Sequence, residues 1–190
     1  MFIWWRPLSI SAPGFSSVAN WPNVLACYGW LSLDCRGCWR LKGEVISHPG
    51  LIGFINSHYG ADASGNWIFQ NGPQAVYVAL DYTPLVLRLE ADGGLTTHTG
   101  AVAGAVAAAY LDEGGSALLQ TAQGIGLVDD RDLAGFVAAC RDERGDVAAE
   151  DALLHTMKGG SGVFWCGLPV QALSRGDVPL RFGFQPNPSP

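Results

Sequence analysis

The fold is decided by residues 62–89, which read DASGNWIFQNGPQAVYVALDYTPLVLRL. Apolar residues alternate along three runs separated by turn residues, and this pattern predicts a three-stranded antiparallel meander. The predicted register pairs Trp67 with Val76 across the Asn71-Gly72 turn region. One face of the first two strands then carries Trp67, Phe69, Val76, Val78 and Leu80. The opposite face carries Ile68, Gln70, Ala75, Tyr77 and Ala79.

The composition is that of a globular protein with a substantial core. Of 190 residues, 48% are apolar and 15% are charged. The net charge of −6 and the absence of a Lys or Arg cluster argue against nucleic acid as a partner. No run approaches the roughly 20 apolar residues that a membrane-spanning helix needs, so we expect no membrane insertion. Five cysteines are an odd number for a disulfide framework, which favours a reducing compartment and a cytoplasmic location.

Three helices are expected. The first covers residues 49–59, with Ser47 as its cap, Pro49 in its first turn and Gly60 at its end. The second covers residues 130–144, and the third covers residues 150–158. Strands are expected elsewhere from Tyr28 onwards, including the Ala-rich segment 101–109 and the closing segments GVFWCGLPVQAL and VPLRFGF.

Together these elements predict an α+β fold. Its sheets are mostly antiparallel and built from repeated β-hairpins, with about three helices packed on them. The predicted domains are an N-terminal arm over residues 1–24 and two α+β subdomains over residues 25–100 and 101–190. A shared core is expected from Phe54, Ile55, Trp67, Val76, Val78, Leu80, Leu85 and Leu87.

An internal repeat accompanies the hairpins. Residues 34–39 and 62–67 both match D-x-x-G-x-W, and weaker versions begin at Asp92 and Asp112. In each unit the Asp side chain caps a turn, the Gly adopts a positive φ and the Trp begins a core-facing strand. Such repeats are usually architectural.

Several motifs carry a family resemblance across residues 28–187. They are YGWLSLD, GxWRLKGE, the helix at residues 51–56, GNWIFQNGPQAVYV, DYTPLVLRL, HTG, GLVDDRDL and RFGFQP. The chain resembles an uncharacterised family of proteobacterial proteins of unknown function. It is more distantly similar to a second bacterial family of unknown function, whose members have two small domains of repeated motifs and a suspected role in signal transduction. Ala75, Cys35 and Cys38 depart from the first family's pattern.

Catalytic and metal sites find little support in the residues. Cys35 and Cys38 have the spacing of half a zinc site, with Cys27, His48 and His58 as further ligands, but a second close pair is missing. Ordinary free thiols are the favoured interpretation. No G-x-S-x-G nucleophile motif occurs, and Gly124-Ile-Gly126 is too short for a dinucleotide fingerprint. We therefore predict no catalytic residue, no metal and no cofactor.

A ligand site is expected around the hairpin of the meander. The amides of Gln70, Asn71 and Gln74 lie at one hairpin end, and they suit a neutral polar group or a peptide backbone. Arg88 and His98 would add charge from strands of the same sheet, and Tyr77 would supply an apolar wall. The alternative is a solvated hairpin tip with Arg88 lying over Tyr77.

Three classes of function remain open. A non-enzymatic ligand-binding or regulatory protein is favoured, because repeated hairpins with aromatic faces form binding surfaces without fixed catalytic groups. An enzyme on an unfamiliar fold and a structural protein–protein interaction module are the alternatives. The expected partners are a small polar ligand or a protein, and a homo-oligomer is compatible with the sequence.

Overall fold

The computed structural model describes residues 24–190. Residues 1–23 of the predicted N-terminal arm therefore lie outside the described residues. The remainder is an α+β fold with two large sheets, as the sequence predicts.

The first sheet has six strands in the order β3-β2-β1-β6-β5-β4. They are β1 (Ala26–Leu33), β2 (Trp39–Leu41), β3 (Glu44–Val45), β4 (Tyr59–Ala61), β5 (Trp67–Asn71) and β6 (Gln74–Leu80). The two central strands, β1 and β6, run parallel, and every other pair in this sheet is antiparallel. Buried and less buried residues alternate along β6, which is typical of a sheet with one core face.

Helix α1 (Pro49–Ser57) connects β3 to β4 and buries Leu51 and Ile55. The predicted cap at Ser47 is wrong, because His48 holds the cap position and its Nδ1 accepts a hydrogen bond from the Leu51 amide at 3.2 Å. Pro49 lies in the first turn as predicted, where its missing N–H costs nothing. Gly60 does not end the helix, since the chain has already become extended and Gly60 lies in β4.

The second sheet has eight strands in the order β12-β13-β14-β9-β10-β11-β7-β8. They are β7 (Leu85–Leu89), β8 (Leu95–Thr97), β9 (Val106–Leu111), β10 (Ala117–Thr121), β11 (Gly124–Val128), β12 (Cys140–Arg141), β13 (Phe164–Trp165) and β14 (Leu168–Ala172). The pairs β14–β9 and β11–β7 are parallel. The strand assignment of the Ala-rich region is thus correct from Val106 onwards.

Three further α-helices follow in the described part of the chain, α2 (Leu133–Ala139), α3 (Glu150–Met157) and α4 (Val178–Phe182), and a short 3-10 helix (Arg175–Asp177) precedes α4. The predicted second helix over 130–144 is too long, because the backbone becomes extended at Cys140 and pairs as β12. The prediction of a strand over VPLRFGF is also wrong. Pro179 lies in the first turn of α4, and Gly183 closes it at φ 67°, which is the usual placement of these two residues in a helix.

The first two strands of the predicted meander exist, but their register differs by two residues. Phe69, not Trp67, lies opposite Val76, and the ladder closes with Asn71 opposite Gln74. Pro73 has no N–H to donate and therefore lies in the turn with Gly72, whereas the predicted register would have placed it in the ladder. Because side chains alternate with a period of two, a shift of two residues leaves the predicted faces unchanged.

The third predicted strand of the meander belongs to the other sheet. β7 pairs with β11 in parallel and with β8, and it makes no ladder with β6. Leu85, Val86 and Leu87 are all buried, and such a continuous apolar run is typical of a strand covered on both faces. At Gly126 of β11 a Cβ would come within 2.6 Å of Leu87, so the glycine permits this close parallel packing.

Two apolar clusters stabilise the fold. The first combines residues of the first sheet and α1 with residues of the second sheet, including Tyr110 and Leu118. The second joins the second sheet to α2 and α3. The predicted single core is therefore divided. Val76, Val78, Leu80 and Ile55 belong to the first cluster, Trp67 and Phe54 pack on it, and Leu87 belongs to the second, while Leu85 is buried outside both.

The two sheets share one topology. Each contains a three-stranded meander, then a helix, then three more strands of which the last lies parallel to the first strand of the meander. In the second sheet α3 is inserted between β12 and β13, and β7 and β8 extend the edge at β11. The division into subdomains at residue 100 stays a prediction.

Candidate functional site

The amides at the hairpin end are occupied by their own chain. Gln70 Nε2 donates to the Gly72 carbonyl at 2.7 Å, and Asn71 Nδ2 donates to Gln74 Oε1 at 3.4 Å. Gln74 is buried, and its Nε2 donates to the Val24 carbonyl at 2.6 Å. These side chains hold the hairpin end and the entry to β1 together.

Tyr77 lies on the outer face of the same hairpin. Its ring stacks on Tyr28, with a centroid distance of 4.2 Å and an interplanar angle of 12°. An aromatic pair of this kind contributes about 0.5–1.5 kcal/mol beyond the area buried. The ring therefore covers the neighbouring parallel strand β1.

Arg88 and His98 do not lie in the sheet that carries this hairpin, so that part of the prediction is wrong. Arg88 is in β7 and His98 follows β8, both in the second sheet. They come together in a pocket of about 280 Å³, which we call the arginine pocket. Its lining residues are Arg36, Gly37, Val86, Arg88, Thr97, His98, Gly100, Asp129 and Arg131.

Three guanidinium groups of the arginine pocket are paired with three neighbouring carboxylates. Arg36 Nη2 lies 2.6 Å from Asp130 Oδ2. Arg88 Nε lies 2.5 Å from Asp132 Oδ2, and Arg131 Nη2 lies 2.5 Å from Asp129 Oδ2. The acidic segment between β11 and α2 thus pairs with Arg36 from the turn after β1, with Arg88 of β7 and with Arg131 of the segment itself.

Burial distinguishes these three ion pairs. The Asp129 side chain is 0% exposed, and the hydrogen bonds from Arg131 lower its pKa from 3.8 to about 2. The hydrogen bond from Arg88 lowers the pKa of Asp132. The Arg36–Asp130 pair is open to solvent, with 64% and 52% of the two side chains exposed. Asp129 and Asp132 are therefore ionised at neutral pH, and Asp129, which is fully buried, depends most strongly on its arginine.

His98 forms a structural part of the wall. Its Nδ1 accepts a hydrogen bond from the Val86 amide at 3.3 Å, which places the ring proton on Nε2. Nε2 is buried and has no hydrogen-bond partner within residues 24–190. The ring contacts Trp39 and Tyr59 edge-on, and burial lowers its pKa from 6.5 to about 4. His98 is consequently neutral at pH 7.

The first D-x-x-G-x-W turn closes the pocket from the side of the first sheet. Gly37 has φ 75°, and a Cβ there would lie 2.6 Å from the His98 Cβ. Only glycine therefore allows this backbone to approach His98 so closely. Arg36, one residue earlier in the same turn, donates hydrogen bonds to Asp130, which follows strand β11 of the second sheet.

A model of one protein family matches most of the chain. The model of the DUF2944 family, described as "Protein of unknown function (DUF2946)", matches residues 15–189. The chain belongs to the DUF2944 family. The resemblance to families of unknown function is thereby confirmed.

Solved structures add a likeness of fold. A DUF1285 family protein from Silicibacter pomeroyi DSS-3 is 18% identical with a TM-score of 0.50, and the match covers 86% of this chain and 88% of that chain. A DUF1285 family protein from Shewanella baltica OS155 is 16% identical with a TM-score of 0.45, covering 57% of this chain and 91% of that chain. No curated protein gives a significant match. At these identities the comparison concerns the fold alone.

Sequence reasoning did not find Arg36, Arg131 or Asp129 as members of a site. Asp129 and Arg131 lie in the family motif GLVDDRDL, and Arg36 directly precedes the motif GxWRLKGE. Two of the three ion pairs join residues that are distant in sequence, since Arg36 and Asp130 are separated by 94 residues and Arg88 and Asp132 by 44, whereas Asp129 and Arg131 are two residues apart.

A second pocket of about 260 Å³ lies on another side of the Arg36–Asp130 pair. Cys35, Ser116, Leu133 and Arg175 contribute to its lining. The five cysteines are free thiols, and burial raises the pKa of Cys38. Within residues 24–190, no group of three or more His, Cys, Asp or Glu side chains could hold a metal ion. No helix in that range has the length and apolar character to cross a membrane.

Proposed function

We propose that the chain is a non-enzymatic ligand-binding or regulatory protein and that the arginine pocket is its ligand site. The observation that carries the proposal is convergence. Side chains from the turn after β1, from β7, from the segment after β8 and from the segment after β11 line one cavity. β8, β7 and β11 are neighbours in the second sheet, and the turn after β1 is brought against them from the first sheet, so the cavity combines polar groups of both sheets.

The chemistry of the wall favours binding over catalysis. Nδ1 of His98 is engaged by a backbone amide, and Thr97 Oγ1 lies 2.7 Å from Thr99 Oγ1 and 3.3 Å from the Ala101 carbonyl. A nucleophile needs an adjacent base with a free nitrogen or oxygen. The arginines, by contrast, are held in place by their carboxylates and remain partly exposed to the pocket. Fixed donors around a small cavity are typical of a binding site.

The proposal keeps Arg88 and His98 from the predicted site and separates them from the hairpin residues. Gln70, Asn71, Gln74 and Tyr77 stay a distinct predicted surface. A reducing, cytoplasmic setting belongs to the same proposal and is supported by five free thiols. A protein partner and a homo-oligomer stay predictions.

A thermal-stability screen tests the proposal. Sugars, amino acids, nucleotides and organic acids are tested against the wild type, since a ligand present at about 100 times its Kd stabilises the native state by about 2.7 kcal/mol. Three variants are then compared on each hit. Arg88→Gln changes the pocket, Gln70→Ala changes the hairpin end, and Arg40→Gln removes a side-on pair with Asp34 outside the pocket.

The expected result is that Arg88→Gln loses the response while Gln70→Ala and Arg40→Gln keep it. A response that Gln70→Ala alone abolishes would place the ligand at the hairpin end. The small-ligand proposal fails if no compound in the screen raises the melting temperature of the wild type.

A further inference from the structure

The three arginines of the arginine pocket use the same edge for their carboxylates. In Arg36, Arg88 and Arg131, Nε and Nη2 are the atoms that donate to aspartate. Nη1 of each makes no hydrogen bond with any side chain or backbone group in the described part of the chain. Each guanidinium is thus fixed in orientation by one edge and retains donors on another.

The lining of the pocket contains three arginines and a single carboxylate. Asp129 is the one carboxylate among the lining residues, and its side chain is 0% exposed. Its oxygens already accept from the Arg131 amide at 2.9 Å and from two Arg131 side-chain nitrogens. Asp130 and Asp132 hold the arginines from outside the pocket lining. A ligand inside the pocket therefore meets three guanidinium groups, each paired with one carboxylate along one edge, and the single carboxylate of the lining has both oxygens engaged.

We propose that the arginine pocket binds a small oxyanion, a phosphate, sulfate or carboxylate group, through the free donors of Arg36, Arg88 and Arg131. This inference rests on the proposed ligand-binding function and names its ligand class. An oxyanion has only acceptor oxygens and satisfies several guanidinium donors at once, with charge-assisted hydrogen bonds about twice as strong as neutral ones. A neutral ligand would leave part of this donor set unsatisfied.

The size of the cavity restricts the ligand further. Pockets for drug-sized molecules occupy about 300–1,000 Å³, and the arginine pocket with about 280 Å³ lies just below that range. Inorganic phosphate, sulfate or a short organic acid therefore suits it. Because Arg36 and Gly37 come from the first sheet and Arg88 from the second, the bound oxyanion connects the two sheets.

Titrations followed by amide NMR test the ligand class. Inorganic phosphate, sulfate and succinate are added at constant ionic strength, balanced with sodium chloride, and glucose serves as the neutral probe. Balancing the salt is necessary because screening alone weakens exposed ion pairs. We expect saturable shifts of the Gly37 and Gly100 amides with at least one oxyanion, and none with glucose. Comparing phosphate and sulfate with succinate distinguishes a tetrahedral oxyanion from a carboxylate.

Two arginines with matched ion pairs supply the variants. Arg36→Gln is expected to weaken the oxyanion by about tenfold, the equivalent of one charge-assisted hydrogen bond, and Arg36→Lys is expected to lie in between. Arg40 donates side-on to Asp34 through the same two nitrogens but does not line the pocket, so Arg40→Gln should bind like the wild type. Because the Arg36–Asp130 pair is exposed, its removal should cost little stability.

Three outcomes would overturn the inference. The first is the absence of any saturable shift beyond that caused by sodium chloride, and the second is an equal loss of binding in Arg36→Gln and Arg40→Gln. The third is a neutral compound from the thermal screen that shifts Gly37 and Gly100 while no oxyanion does. That last result would contradict the oxyanion inference but not the proposed ligand-binding function. If neither neutral nor anionic compounds bind, both the inference and the proposed function are wrong.

Discussion

Residues 34–39 and 62–67 share one sequence motif and one local structure, yet they serve different parts of the molecule. Asp34 Oδ1 accepts from the amides of residues 36 and 38, and Asp62 Oδ1 accepts from the amides of residues 64 and 66. Gly37 and Gly65 both adopt a positive φ, of 75° and 81°. Asp112 and Asp142 repeat the same pair of side-chain bonds, the latter without having been recognised in the sequence.

The two turns differ in what they contact. The first approaches the second sheet, where Gly37 lies against His98 and Arg36 pairs with Asp130. The second meets the C-terminal segment, where the Gly65 carbonyl accepts from the Gln185 amide at 2.9 Å. A Cβ on Gly65 would come within 2.3 Å of the Gly183 carbonyl oxygen. The motif thus encodes a turn, and the tertiary neighbour decides whether that turn borders a pocket.

The largest expected difference concerns the tryptophans that end the two motifs. Trp39 is 2% exposed and donates from Nε1 to Asn56 Oδ1 at 2.7 Å, while Trp67 is only partly buried against the first cluster. Trp39→Ala should lower the free energy of unfolding by about 3–5 kcal/mol. Trp67→Ala should cost about half as much, because less surface is buried. Urea denaturation of both variants measures this, and equal losses would show that the two turns are energetically equivalent.

The next prediction concerns pH and applies to the first turn only, because His98 packs on Trp39. The pKa of His98 is about 4 in the folded chain against 6.5 normally, so the unfolded chain binds this proton more readily between those values. The free energy of unfolding should therefore fall as the pH is lowered from 6.5 towards 4, by up to about 3 kcal/mol.

Other titrating groups near the pocket act in a different pH range. Asp129, with a pKa of about 2, contributes stability that is present above pH 3.8 and is lost as the pH falls towards 2. Arg36, Arg88 and Arg131 stay charged throughout. Denaturation of the wild type and His98→Gln at pH 7 and pH 4.5 separates these effects. A wild-type slope that persists in His98→Gln would assign the pH dependence to another residue.

A glycine pair sharpens the comparison at a smaller energy. Gly37→Ala places a side chain in the left-handed region, at about 1–2 kcal/mol, and also forces a Cβ against His98. Gly43 has φ 88° with nothing within 4 Å of its Cβ position, so Gly43→Ala carries only the backbone cost. We expect Gly37→Ala to be more destabilising by at least about 1 kcal/mol.

The control for position is the second turn. Gly65→Ala should be as destabilising as Gly37→Ala, since its Cβ would meet the Gly183 backbone, but it should leave the ring resonances of His98 unchanged. If Gly37→Ala and Gly43→Ala have the same free energy of unfolding, the close approach of Gly37 to His98 does not contribute to stability.

The sequence predicted what is set by neighbours in the chain. Pro49 begins α1, α3 occupies the expected residues, and the Asp turns form as their capping side chains require. These features depend on contacts within a few residues, which periodicity and turn chemistry report directly.

The errors concern partners that lie far apart in sequence. β7 leaves the meander because β11, about 40 residues later, offers Gly126 beside Leu87. Arg88 belongs to a pocket because Asp132, 44 residues later, fixes its guanidinium. The residues around Gly126 and Asp132 show no pattern from which their contacts with Leu87 and Arg88 could be predicted. The arginine pocket could therefore not be assembled from the sequence alone.

The smallest expected effect comes from exchanging the residues that give the first turn its role. Ser64 holds the position in the second turn that Arg36 holds in the first, so Arg36→Ser makes the two turns alike. Because the Arg36–Asp130 pair is exposed, its loss should change the free energy of unfolding by less than about 0.5 kcal/mol. The small difference should vanish at about 1 M sodium chloride, where the Debye length is about 3 Å. Denaturation at low and high salt measures this, with Ser64→Arg as the reciprocal variant. A loss above about 1 kcal/mol would mean that Arg36 holds the two sheets together, whereas a negligible loss leaves it free to serve a ligand.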